Sequence, residues 1–277
     1  MTGLVSGVVS IPKKRLIGGV IEWLFGSYAF TPLALFRNSE QGAWYDPSDF
    51  SSMFQDSAGT TPVTAVGQPV GRINDKSGNG NHASQATAAA RPVLRQDGGG
   101  KYYLEFDGVD DGLGTAAIDF SASDEMTVVV AMERPDTATL MVVEFSDNVN
   151  ACAGSAFVVS GDNDSGIYSA RARGASHGAS AIWVANSGAD RAIITSTHSI
   201  SGDLSRIRRN GVYGIDSVTD KGAGNFGNWP LYIGSRGGIT SFFNGSIYQT
   251  VIVGRVATAT EIDDTEAHIA SKSGVTL

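Results

Sequence analysis

The stretch Tyr103-Leu-Glu-Phe-Asp-Gly-Val-Asp-Asp-Gly-Leu113 decides how this chain is read. It predicts a strand over 102–106 with Phe106 pointing into a core, and a turn where Asp107-Gly108 follows. The same texture continues downstream. The run Glu-Met-Thr-Val-Val-Val-Ala-Met-Glu (125–133) is a second strand, with further candidates at Thr139–Phe145, Ala156–Ser160, Gly166–Arg173, Arg191–Ser196, Leu204–Arg209, Val212–Ile215, Leu231–Gly234 and Ser246–Val253. Gly, Asn, Asp and Ser punctuate the gaps. Short β-rich runs at this spacing predict an all-β antiparallel sandwich. Asn210-Gly211 tolerates positive φ at both positions and so predicts a type I′ hairpin pairing Arg209 with Val212. One helix is expected, at the C-terminus, opened by the capping box Thr258-Ala-Thr-Glu261 and stopped by Gly274.

Composition sets the outer limits. The 277 residues are 42% hydrophobic and 17% charged, with 35 glycines, which suits a turn-rich β domain and excludes a polytopic membrane protein or a disordered chain. A net charge of −8 argues against nucleic acid and anionic membrane surfaces as partners, because both need clustered Lys and Arg. A lone cysteine, Cys152, excludes an internal disulfide and a cysteine-based zinc site.

The first 41 residues differ from the rest. Lys13-Lys14-Arg15 precedes the apolar run Leu16–Phe36. A transmembrane helix is interrupted by Glu22, paired glycines and Pro32, and a signal peptide lacks a clear small-residue cleavage site. Of these three competing readings the favoured one is an extended or helical anchor buried against another chain, with no membrane insertion. The expected domains are therefore 1–41, a docking segment, and 42–277, the sandwich.

The order of motifs resembles a known family. WYDPSDFSSMFQDSAGTTPV (Trp44–Val63) is followed by DKSGNGNHA (Asp75–Ala83), RPVL (Arg91–Leu94), the Tyr103–Leu113 stretch, LYIGS (Leu231–Ser235) and FFNGSIYQTVIV (Phe242–Val253). The series resembles the laminin-G-like, concanavalin A-like jelly-roll domains over Trp44–Leu277. Its WYDPSD opening and KSGVTL ending resemble versions found in structural proteins of tailed bacteriophages. That resemblance implies a virion protein, a tail-fibre or tail-tip receptor-binding protein that contacts other virion chains through residues 1–41 and a host-cell glycan through the sandwich. A homo-oligomer, a trimer, is the assembly it implies. The alternatives are a capsid decoration protein and a polysaccharide-degrading jelly-roll enzyme.

Sugar sites in such folds use aromatic faces and polar side chains. Trp229, Tyr232, Trp183, Tyr213 and Arg208 are the candidates, with Trp229 expected in a Gly- and Asn-rich loop. The family resemblance implies calcium as the alternative to a purely turn-forming role for Asp107, Asp110, Asp111, Asp75 and Asn79. Catalysis is not expected. Glu261-Ile-Asp-Asp-Thr-Glu266 matches the E-x-D-x-x-E string of laminarinase-type hydrolases, yet on a helix Glu261 and Asp263 diverge by about 200°. There they would cap and solvate. The four histidines, His82, His177, His198 and His268, read as surface or turn residues.

Overall fold

The computed structural model describes residues 30–135, 141–146, 167–175, 181 and 190–277, and the backbone of strands at 13–17, 20–24, 140, 156–161 and 182–184. Cys152, His177, the acidic stretch 162–166 and the Trp183 side chain lie outside the described residues.

The chain divides into two units, residues 1–30 and 31–277. In the first, β1 (Lys13–Ile17) pairs antiparallel with β2 (Val20–Leu24), Lys13 opposite Leu24 and Ile17 opposite Val20. No helix among the described residues is long and apolar enough to cross a membrane.

The second unit continues with β3 (Gly42–Tyr45), β4 (Met53–Phe54), β5 (Arg72–Ile73), β6 (Ala83–Ser84), β7 (Val93–Gln96), β8 (Tyr102–Asp107) and β9 (Leu113–Asp119). Then come β10 (Glu125–Arg134), β11 (Leu140–Phe145), β12 (Ala156–Gly161), β13 (Ile167–Arg173), β14 (Ala181–Val184) and β15 (Asp190–Ser199). The series ends with β16 (Leu204–Arg209), β17 (Val212–Tyr213), β18 (Asn228–Ile233), β19 (Asn244–Val253) and helix α1 (Ala259–Ser273). Among the described residues they form two antiparallel sheets. One runs β17-β16-β15-β10-β19-β8-β7 with β3 also on β19, and the other runs β14-β13-β12-β11-β18-β9-β6-β5-β4. This is the expected sandwich.

The centre of the first sheet explains its most apolar strand. Met126, Val128, Val130 and Met132 of β10 enter the core shared by the two sheets. Val129, between them, is buried as well, as are Val251 of β19 and Ile193 of β15, outside that shared core. Helix α1 packs against these three strands and brings Ile262 and Ile269 as its buried aliphatic residues. A strand covered on both faces needs no polar alternation, so the Val-Val-Val-Ala run reads continuously.

The helix is fixed at each end by chemistry legible in the sequence. Thr258 accepts from the Glu261 N–H while the Glu261 carboxylate accepts from the Thr258 N–H, and Gly274 closes the helix at φ 74°. The Arg255 guanidinium holds the same Glu261 carboxylate at 2.7 and 2.8 Å, which depresses its pKa. The E-x-D-x-x-E string thus lies on the helix, as expected, but Glu266 is not solvated. It is 1% exposed, accepts from Thr195 Oγ1 at 2.6 Å and meets Arg208 at 3.1 Å. Asp263, one turn earlier, meets the same guanidinium nitrogen at 2.9 Å.

Other expectations are met or corrected locally. The hairpin forms with Asn210 at φ 50° and Gly211 at φ 79°, pairing Arg209 with Val212. His198 is no surface residue. It is buried between Ser196 and Ser205, and burial pushes its imidazole down to about 3. The second unit begins at Thr31, earlier than the boundary drawn at Gly42, because the 3-10 turn Pro32–Phe36 buries Leu35 and Phe36.

Replacing Glu261 with Ala removes both the reciprocal cap and the Arg255 pair. The variant is expected to lose about 0.5–2 kcal/mol in urea unfolding, with an unchanged slope.

Candidate functional site

Where α1 stops, the outer face of the first sheet turns polar. Lys101 and Arg191 close the helix end by donating to the carbonyls of Ser271 and Ser273. Beyond them lies a groove of about 620 Å³. Its floor follows from strand register. Val93 of β7 stands opposite Glu105 of β8, Glu105 opposite Ser246 of β19, and Ser246 opposite Glu133 of β10. Neighbouring strands lie about 4.8 Å apart, so these four side chains form a row across one face. Arg91, Arg95, Asp107, Asp111 and Asn244 complete the polar lining.

A bulge makes this floor. The β10–β19 register shifts between Ala131 and Met132. Just beyond, Gly245 lies so close to β10 that a Cβ there would meet the Glu133 carbonyl oxygen at 2.3 Å. Only glycine permits that approach.

The charges are partly matched. Arg95 holds Glu105 at 2.7 Å, and Arg191 holds Glu133 at 2.6 Å, with the Tyr248 hydroxyl donating to the same carboxylate at 3.0 Å. Arg91 donates to two backbone carbonyls, those of Gln85 and Ala86. Asp107, Asp110 and Asp111 bring carboxylate oxygens within 4.8 Å of one another. Burial, and then the charge of Asp107, push the Asp111 carboxyl up from 3.8 to about 6.

The residues expected to hold calcium separate into two places. Asp75 is saturated by its own loop. It accepts from the N–H groups of Trp44, Ser77 and Asn81 and from the Ser77 hydroxyl, at 2.7–3.0 Å. Asn79 donates to the carbonyls of Glu40 and Gly42. Both tie the 75–82 loop to the start of the sandwich and neither joins the aspartate cluster. Within that cluster Asp107 Oδ1 accepts the Val109 N–H at 2.8 Å and Asp111 Oδ2 the Asp107 N–H at 3.1 Å.

The expected sugar-binding residues also divide between the sheets. Trp229 lies on β18 rather than in a loop and packs against the core, because β18 begins at Asn228 to pair with β9. Tyr232 is half-buried on the same strand, its ring over Gly114 and Gly238. Trp183 falls on β14, opposite Tyr168. Tyr213 and Arg208 do come together on the first sheet, the guanidinium 4.9 Å from the ring centre, beside a cavity of about 140 Å³ at the start of α1. The groove residues Arg91, Arg95, Glu105, Glu133 and Ser246 were not among the expected ones. The alternation in Tyr103-Leu-Glu-Phe-Asp already puts Glu105 and Asp107 on one face, but their neighbours come from strands far apart in sequence.

No protein-family model matches the sequence, and no curated protein matches it. Solved structures share the fold. The binding domain of botulinum neurotoxin serotype G is similar at a TM-score of 0.55 and 15% identity, over 72% of this chain and 49% of that one. The serotype D ligand binding domain, solved in complex with N-acetylneuraminic acid, is similar at 0.54 and 10%, over 86% and 53%. The sialidase of Trypanosoma rangeli is similar at 0.53 and 13%, over 95% of this chain and 36% of that one. The chain thus spans about half or less of these proteins. The expectation that it is no enzyme is corrected on this point, since a sialidase shares the fold with binding domains and the fold does not exclude catalysis.

Asp111 gives the groove a stability signature. Its folded pKa exceeds its unfolded one, so the folded state holds the extra proton between about pH 4 and 6, and stability falls as pH rises through that window. Asp111→Asn is therefore expected to melt higher than the parent at pH 7, with the difference shrinking to nothing near pH 4 in thermal scans.

Proposed function

We propose that the 31–277 unit is a glycan-binding β-sandwich and that the polar groove beside the end of α1 is its binding site. One observation carries the reading. Four adjacent strands line up Val93, Glu105, Ser246 and Glu133 on the floor of a groove of about 620 Å³. That volume falls in the range of small-ligand sites, about 300–1,000 Å³. Carboxylates accept, guanidiniums donate and the serine does both, which is the set that sugar hydroxyls require. The similarity to a neurotoxin domain solved with N-acetylneuraminic acid supports the ligand class.

The finer part of the proposal rests on the sequence resemblance to tailed-phage structural proteins. In it the unit is displayed on a virion, at a tail fibre or tail tip, and residues before Thr31 dock it to other virion chains. Single sites of this shallow kind bind weakly, and several copies on one particle multiply the effect through effective concentration.

Ser246→Trp fills the groove from its floor. It is expected to abolish binding on a glycan array while leaving thermal unfolding within a few degrees of the parent. Retained binding would move the site elsewhere. Deleting residues 1–30 is expected to leave the unit folded, with its glycan binding intact, and to stop incorporation into particles.

A further inference from the structure

The charges around the groove are uneven, and the unevenness bears on which glycan enters. Glu105 and Glu133 each have a guanidinium within 2.7 Å, and Arg95 is thereby neutralised. Arg91 faces the carbonyls of Gln85 and Ala86 and stands in no ion pair among the described residues. At the Asp107 end the balance is different. Among the described residues no lysine, arginine or histidine lies within ion-pair distance of Asp107, Asp110 or Asp111. Two of these three, Asp107 and Asp111, line the groove itself, and Asp111 is only 5% exposed.

We infer that the groove accepts uncharged sugars and rejects carboxylated ones, sialic and uronic acids alike, with Asp107 and Asp111 as the residues that impose the choice. This rests on the glycan-binding reading above. A hexose hydroxyl donates to either aspartate and gains a charge-assisted hydrogen bond. A sugar carboxylate in the same place sets like charges side by side, and neither ionised aspartate has a donor to offer it. Arg91 alone does not reverse this: the carbonyls of Gln85 and Ala86 take two of its five N–H donors, and its one charge stands against two aspartates. The preference is opposite to the ligand in the serotype D neurotoxin domain, which shares the fold at 10% identity.

The test uses the full chain on an array of matched glycans. Each neutral oligosaccharide is printed beside the same chain ending in N-acetylneuraminate or glucuronate, in buffer containing a chelator so that no divalent cation masks the aspartates. The neutral members are expected to bind at least tenfold better. Asp107→Asn combined with Asp111→Asn should narrow that ratio below threefold, and Asp107→Asn alone, at an exposed position, serves as the charge variant if the pair does not fold. A preference for the acidic members, or a ratio that none of these variants changes, overturns the inference. If the acidic members win and Ser246→Trp still abolishes binding, only the inference falls. A blank array, or binding that survives Ser246→Trp, removes the groove as a glycan site and the inference with it.

Discussion

The pairing of β10 with β19 at the middle of the first sheet is buried on both faces, and most of the architecture answers that demand. A strand pair with Val128 and Val130 on one side and Val129 and Val251 on the other cannot face water on either. The second sheet covers the inner side. Helix α1 covers the outer side, anchored by its cap to Arg255 and by Arg208 to Asp263 and Glu266. The helix is shorter than the strands it covers need at their far end. Past Ser273 the outer face must carry its own polar groups, and there Glu105, Ser246 and Glu133 stand in a row. The groove is therefore a consequence of where the cover ends.

The order of motifs along the chain has a spatial counterpart. The Trp44 N–H donates to Asp75, and Lys76 reaches Asp46 and Asp49, so the WYDPSD and DKSG segments form one knot. In the same way Phe106 and Asp107 pair with Gly245 and Asn244, joining the FDG and FNG segments side by side. Each pair of motifs is distant in sequence and adjacent in the fold. Their turn residues supply the bends, and their carboxylates supply acceptors for backbone N–H groups that would otherwise be buried unpaired.

Much of this was legible in the chain. Long β-rich runs, the Asn210-Gly211 turn and the Thr258–Glu261 box specify local structure, and each formed within a few residues of its expected place. The two-residue strands Met53–Phe54, Arg72–Ile73 and Ala83–Ser84 were not legible, since their pairing comes from the sheet that recruits them. β9, with Gly114, Ala116 and Ala117, has little strand propensity of its own and is held by β18. That same pairing drew Trp229 into a strand and onto the core. The site was harder still. Its members come from strands separated by up to some 150 positions, and register across four strands is a property of the folded sheet alone.

Arg255 has a mechanical meaning. Its guanidinium touches the Leu35 carbonyl, the Glu40 carboxylate and the Glu261 carboxylate, so the first residues of the unit and the first turn of its last helix share one clasp. Immediately inside it, β3 runs antiparallel to β19 with Gly42 opposite Val253 at the outer end. A pull on the chain ahead of Thr31 would load that clasp first, and then Gly42, where the β19 ladder and the donors of Asn79 and Asn81 hold the outer end of β3 together. The entry of the sandwich is thus doubly fastened, by the clasp at Arg255 and by the loop that grips Gly42.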